Sequence, residues 1–493
     1  MSNRMRFQVP AICLIAVCRL MAQPIVGRVI EPTYGIGVDS VMVSIPGSAG
    51  QVFTDSNGQF TINTTSLRSD ASRSIVPYYD ADKQILFWNP EARFVRFRMV
   101  NVMGRIAVNS YPDPTLGRLI LPIPSYENGF YGMELLAGDF RLRLQAWIFS
   151  GKIIRVAVTS SEKIILKGAA KQGNSAAILL RFQKSGWITK DSSLIPGAPA
   201  SLIPLARTQI KILIVDGFNN HNWQQTTVIL KAILGISGFF TVDVITSPNQ
   251  PPASTAYQTF NPLFRNYEAV ILNVCNINTT TQWPARIKTD FVNYIDSGGS
   301  ALAFHAAAAS FSEWPEYVRI VGMTWAAATY GPSYEIIGGI PREIATGVGG
   351  GTNHGARYDA LVNAGNGHPI TRGMPPAFRT ISTEVYVYPR TLTGVLANTQ
   401  VLGYAFDSTL ASNKFWPLMP LVRYGKGYCF TNLMGHVWAG DIYPPQAADI
   451  GMHTLTIRAL EWLARREIMY PVPVNFPTAT KTARDTTLQI TGP

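Results

Sequence analysis

The sequence predicts a multidomain chain in which N-terminal all-β sandwich modules precede an α/β domain built on a doubly wound sheet. Three observations carry that reading. Before residue 206 apolar and polar residues alternate in short runs separated by turn residues, the period of half-buried strands. From residue 208 the pattern changes to short apolar runs alternating with helical stretches, as in βαβ units. None of the six histidines falls before residue 221, so histidine chemistry belongs to the second part alone.

The chain of 493 residues has room for two to four domains, and with 47% hydrophobic and 15% charged residues it is globular. A formal charge of +12 comes from scattered Lys and Arg, with no run that would track phosphates, so nucleic acid is not expected as a partner. Residues 1–22 read as a secretory signal: Arg4 and Arg6 are basic, Val9 to Val17 is apolar, and Ala22 offers a small residue before the cut. The protein is therefore expected to be secreted, periplasmic or in the cell envelope. Cys18 follows Val17, a poor fit to a lipoprotein box. Cys275 and Cys429 lie in apolar runs, where a thiol acts as a small hydrophobe. Beyond the leader no stretch is long and apolar enough for a transmembrane helix.

Residues 23–80 form a first β module, with runs at Val26–Val29 and Val41–Ile45 and a tight turn at Asn57-Gly58. Residues 81–166 form a second, from Val95–Val100 through Met103-Gly104-Arg105-Ile106 to the strictly alternating Leu136–Leu144. Residues 167–206 carry Gly, Ser and Pro with little periodicity and read as a linker. Residues 207–467 are the α/β domain and 468–493 a C-terminal tail.

Within the α/β domain Ile210–Val215 is a buried strand, and a loop with His221 feeds a helix from Trp223 that Asn222 is suited to cap. Val242–Ile245 and Ala269–Asn273 are further strands. A helix from Pro284 stops at Gly298-Gly299, where glycine takes the left-handed conformation without a Cβ penalty. Ala301–Phe304 is a strand buried on both faces, and the chain turns at His305 into Ala306–Ala309, a helix-forming run. Thr383–Tyr386 reads as a strand holding Glu384, Leu421–Phe430 as a hairpin leading to His436, and Met452–Arg466 as a last helix. In open α/β sheets ligands bind at the carboxyl ends of the strands. His221, His305, Glu384 and His436 all fall at or near such ends and are expected to share one pocket.

These motifs carry a resemblance. His221-Asn222-Trp223, Asp296–Gly299 with the Phe304-His305 elbow, Phe311 with Trp314–Tyr317, His368–Pro375, Glu384–Tyr386, Tyr424–Gly427 and Gly435-His436 follow one another as in the ThuA-like (trehalose utilisation) family. That resemblance implies a flavodoxin-like fold of the class I glutamine amidotransferase type. It also implies a carbohydrate ligand, a disaccharide or an oxidised derivative of one, and adds Trp314 and Tyr317 to the substrate contacts. Amidotransferases carry a nucleophilic cysteine at the elbow; His305 in its place excludes glutaminase activity. The family tends to have a histidine after the Trp325 region, where this chain reads Tyr330-Gly331-Pro332; whether His354 compensates is left open. The first β module resembles the carboxypeptidase regulatory-like sandwich, and the second the secretion-sorting modules of exported bacterial proteins, which implies attachment to the cell surface.

The residues expected to do chemistry are His305, His436 and Glu384, with His221 and Trp223 beside the substrate. Histidines at separate strand ends suit a shared divalent metal such as zinc, with His221, His305 and His436 as ligands. His368 precedes a proline and reads as a turn residue, His453 as structural. Gly347–Gly351 is a weak nucleotide motif because no strand and helix flank it convincingly. Two classes of function stay open: a sugar-active hydrolase, lyase or isomerase, and a non-catalytic carbohydrate-binding or structural protein of the cell envelope.

Overall fold

The computed structural model describes residues 24–46, 51–63 and 177–485, apart from positions 278, 366, 439, 442 and 443, and within 78–163 the strand backbones alone. The signal expected at residues 1–22 and the turn at Gly104-Arg105 lie outside the described residues. The chain divides into two compact units, Met1–Ala206 and Arg207–Pro493.

In the first unit the strand Ile25–Ile30 pairs antiparallel with Gln59–Ile62 and parallel with Ser201–Pro204. Met42–Ser44 pairs with Gln51–Phe53 and with Ile178–Gln183, and the last of these pairs with Lys190–Leu194. Residues 178–204 are therefore not a linker. They supply three strands that complete the module begun at residue 24, which accordingly does not end at 80. Phe182 makes the point physically: it packs edge-on against Phe60, with ring centroids 5.5 Å apart. Between the two halves, Val95–Asn101, Ile106–Ser110, Gly129–Ala137, Phe140–Phe149 and Lys152–Lys163 form an antiparallel sheet. The run expected as one strand over Leu136–Leu144 is split between two of its strands, paired as a hairpin.

In the second unit a seven-stranded sheet runs in the order Phe240–Thr246, Ile210–Asp216, Ala269–Leu272, Ser300–Phe304, Gly427–Asn432, Pro420–Tyr424, Thr399–Val401. The first five are parallel, Pro420–Tyr424 runs opposite to them, and Thr399–Val401 pairs antiparallel with Pro420–Tyr424. Helix α1 (Trp223–Ser237) starts where the Asn222 side chain accepts the Gln225 N–H and ends at Gly238 in the left-handed region. Helix α2 (Ala285–Asp296) buries Ile287, Phe291, Tyr294 and Ile295, one stripe at helical spacing. Helix α3 (Pro315–Val321) is short, and α4 (Ile450–Arg465) is buried over nearly its whole length. Helices α1 and α4 pack together on the sheet, as do α2 and α3, which buries every residue of Ala269–Leu272 and Ser300–Phe304.

A second, antiparallel sheet of six strands is built from residues 333–417, among them Ser333–Ile337, Leu361–Ala364 and Gly403–Phe406. Glu384 is not in a strand. Residues 383–387 are extended but make only isolated bridges, Thr383 to Tyr358 and Val387 to Asn353. Ser382 and Tyr388, both at positive φ, bend the chain on either side. Asp449 ties this segment to the first sheet's last helix. Its buried carboxylate accepts the Gly451 and Met452 N–H groups at the start of α4 and also the Ile381 N–H and the Thr380 hydroxyl.

Losing that carboxylate strips a helix cap and strands two more buried donors. Asp449→Ala is expected to cost about 2–4 kcal/mol, and Asp449→Asn less than half of that. The check is the urea-unfolding transition of the C-terminal unit; a change below about 0.5 kcal/mol for the alanine variant would contradict it.

Candidate functional site

The parallel strands bring their carboxyl ends to one rim, and histidines follow three of them. His221 comes five residues after Ile210–Asp216, His305 directly after Ser300–Phe304, and His436 four after Gly427–Asn432. Their rings stand together, with centroids 5.0 Å apart for His221 and His305, 4.5 Å for His221 and His436, and 4.8 Å for His305 and His436. Glu384 reaches the same point from the bent segment above. Its Oε1 is 2.9 Å from His436 Nδ1, off the line of a hydrogen bond, and its Oε2 is 3.7 Å from His305 Nε2.

His305 sits at φ +44, a left-handed conformation that a non-glycine residue adopts only when its surroundings impose it. The five residues that follow are a 3₁₀ turn, His305–Ala309, rather than the α-helix that the alanine run suggests. No helix dipole therefore acts on the ring. The turn is held from below: the buried Tyr317 hydroxyl donates to the Ala307 carbonyl at 2.7 Å.

Protonation follows from burial. His305 is 3% exposed, and desolvation pushes its pKa well below the usual value; His436 and His221 add to this against Glu384 and the Leu433 carbonyl. His221 falls to about 3, through desolvation first and then the charges of His436, His354 and Arg357. Both rings are neutral at pH 7. Burial alone would raise the Glu384 carboxyl, but the contact with His436 and the neighbouring histidines outweigh it and keep the group ionised.

The hydrogen bonds fix which nitrogens are free. His305 Nδ1 lies 2.7 Å from the Leu433 carbonyl and so carries the proton, leaving Nε2 as a lone pair. His221 Nδ1 lies 2.9 Å from Asn220 Oδ1 and 3.1 Å from Asn219 Oδ1, which exposes its Nε2 in the same way. His305 Nε2, His436 Nδ1 and Glu384 Oε2 are buried with no hydrogen-bond partner among the described residues. One ligand atom from each of His221, His305 and His436 can be chosen so that all three lie within 4.8 Å of one another. Ligands about 2 Å from a common ion stand at most ~4 Å apart, so a small closure of the side chains fits them to a divalent metal. Pinning the far nitrogen to a carbonyl or amide oxygen is what metal-ligating imidazoles require.

Beside the cluster lies a half-enclosed cavity of about 220 Å³. Cys275, Ile277, Ala306, Ala309 and Trp325 give it an apolar wall, and Asn220, His221, His354 and Tyr386 a polar one. His354 is a residue that sequence reasoning left open. It stacks on Tyr386, and its Nδ1 is 3.4 Å from Glu384 Oε1. The Gly-rich loop before it is braced from below: the Arg390 guanidinium donates to the Val348, Gly350 and Gly331 carbonyls and so holds the loop that delivers His354. Cys275 lines the cavity with its thiol pushed up to about 12 by burial, so it is no nucleophile.

Two expected substrate contacts are misplaced. Trp314 is 5% exposed and Tyr317 fully buried, and both pack with Phe311, Phe291 and Trp283 in the aromatic core behind the elbow. Trp223 stands half-buried at the start of α1, outside the cavity lining; its carbonyl accepts the Asn273 amide. The aromatic residues at the site are Trp325, Tyr386 and Trp438. Trp438 has a weak sequence signal, lying two residues after His436.

Fold and site together define an α/β protein with a neutral-histidine and carboxylate centre at the rim of a parallel sheet. The ThuA family, described as trehalose utilisation, matches residues 211–463, and the chain belongs to it. Among solved structures, a ThuA-like protein from Parabacteroides merdae is 29% identical, with a TM-score of 0.52 over 57% of this chain and 99% of that one. A cytoplasmic protein from Salmonella typhimurium is 12% identical, with a TM-score of 0.29 over 52% of this chain and 99% of that one. The glutaminase domain of Trypanosoma brucei CTPS is 7% identical, with a TM-score of 0.32 over 55% and 99%. No curated protein matches the chain.

The backbone at the elbow generates a prediction independent of function. At φ +44 the stability order among His305 variants is expected to be Gly, then Ala, then Val, each step about 1 kcal/mol. Thermal melts of the three variants check it, and an alanine variant more stable than the glycine one would contradict the left-handed turn.

Proposed function

We propose that the protein is a metal-dependent enzyme acting on a saccharide, a disaccharide or an oxidised derivative of one. The observation that carries this is the set of buried polar atoms without a hydrogen-bond partner among the described residues, His305 Nε2, His436 Nδ1 and Glu384 Oε2, converging beside His221. Such groups are costly to bury unless something binds them. A divalent ion such as zinc, held by His221, His305 and His436, would supply Lewis-acid polarisation of a sugar oxygen. Glu384, ionised and buried beside the cavity, accepts a proton from the substrate. His354, whose side chain is 33% exposed, stands beside it with Nδ1 3.4 Å from Glu384 Oε1 and 2.9 Å from the Gly355 carbonyl. The apolar wall of Ala306, Ala309 and Trp325 receives the less polar face of a sugar ring.

The strand order, with Ile210–Asp216 between the next two parallel strands in sequence, supports the finer reading of a flavodoxin-like, amidotransferase-type sheet. The basic and apolar segments of residues 1–22 support export to the periplasm, envelope or medium, and the β strands before Arg207 support attachment there through regulatory-like and sorting-like modules.

Turnover of trehalose and of its oxidised derivatives tests the enzyme reading. Activity is expected to disappear on chelation, return with zinc, and fall at least 100-fold in His305→Ala and Glu384→Gln. Binding of the sugar without turnover by the metal-loaded wild type, unchanged in Glu384→Gln, would leave a non-catalytic carbohydrate-binding protein instead. For export, mass spectrometry of the exported protein is expected to begin near Gln23, and an intact Met1 form confined to the cytoplasm would contradict it.

A further inference from the structure

Trp438 is a large apolar side chain left 46% exposed immediately outside the histidine cluster. Its ring lies 5.4 Å from His221, edge to face, and 5.8 Å from His436. It does not line the cavity, whereas His221, which it touches, does. Its place is nonetheless fixed: its N–H donates to Asp441 Oδ2 at 2.8 Å, and the Asp441 N–H donates back to the Trp438 carbonyl at 3.0 Å. Asp441 is held in turn by Arg357, whose Nη1 donates to Oδ2 at 2.7 Å. Both charged side chains stay partly open to solvent, at 30% and 18%.

Three features converge. A flat apolar face with partly open hydrogen-bonding groups beside it matches the amphipathic surface of a sugar ring. Arg357 and Asp441 already neutralise each other, so the patch suits a neutral polyol rather than a phosphate or carboxylate. The cavity, at about 220 Å³, is below the ~300 Å³ at which pockets begin to enclose drug-sized ligands, so it takes one ring and not two.

We propose that Trp438, with Arg357 and Asp441, forms an outer sugar subsite, holding the second ring of a disaccharide whose first ring occupies the cavity beside His221. The inference rests on the saccharide reading of the site and adds to it a two-ring ligand and its orientation: the reacting ring inward, the other stacked on Trp438.

Calorimetric titration of the zinc-loaded full chain with glucose and with trehalose tests this, comparing wild type with Trp438→Ala, Trp438→Phe and Arg357→Gln. Wild type is expected to bind the disaccharide more tightly than the monosaccharide. Trp438→Ala is expected to lose about tenfold for trehalose and less than twofold for glucose, with Trp438→Phe close to wild type. Arg357→Gln, which leaves the indole in place, is expected to lose several-fold for trehalose alone. Zinc content and circular dichroism equal to wild type verify that each variant is folded. Equal losses for both sugars, or no loss for trehalose, would overturn the subsite while leaving the saccharide reading standing. Binding of neither sugar by wild type would overturn both.

Discussion

A carboxylate 4% exposed, set among imidazoles of which burial keeps His305 and His221 neutral, is the constraint on which this domain depends. Glu384 Oε2, His305 Nε2 and His436 Nδ1 are buried with no hydrogen-bond partner among the described residues. Buried polar atoms without partners cost on the order of 1–3 kcal/mol each. The surroundings therefore over-determine every member. The Leu433 carbonyl fixes one ring, Asn219 and Asn220 fix another, and the positive φ of His305 aims its side chain inward at the end of a strand that cannot shift.

Two layers divide the work. The parallel sheet sets the three histidines on a rigid rim, because its strands are buried on both faces and their ends share one level. The antiparallel sheet and its connections supply what lies over that rim: Glu384, His354, Trp325 and Tyr386. Asp449 joins the layers from the start of α4, and Arg390 braces the Gly-rich loop within the upper one. Rigid below and looped above is how a site keeps its geometry while admitting a ligand.

The rim was legible in the sequence because its signals are local. A buried apolar run followed by a polar residue places His221, His305 and His436 with no knowledge of the rest. Glu384 was placed at the right site for a partly wrong reason, since its segment is extended but unpaired. His354 was left open and Trp438 missed because irregular segments have no period to read. Trp314 and Tyr317 were misread because two aromatic residues three apart look alike whether they line a pocket or pack a core; only the neighbouring Phe311 and Phe291 rings decide. Residues 178–204 were mistaken for a linker because their strands are short and carry Ser and Pro, and their partners lie more than 100 residues away.

The central claim is that three imidazoles at the sheet rim hold one divalent ion. X-ray absorption of the full chain, purified without added metal chelators and quantified by elemental analysis, tests it most directly. The account predicts about one zinc-like ion per chain with imidazole nitrogens at about 2.0–2.1 Å, and loss of the ion in His305→Ala. A metal bound through sulfur, or a folded protein that takes up no divalent metal even when it is supplied in excess, would contradict it.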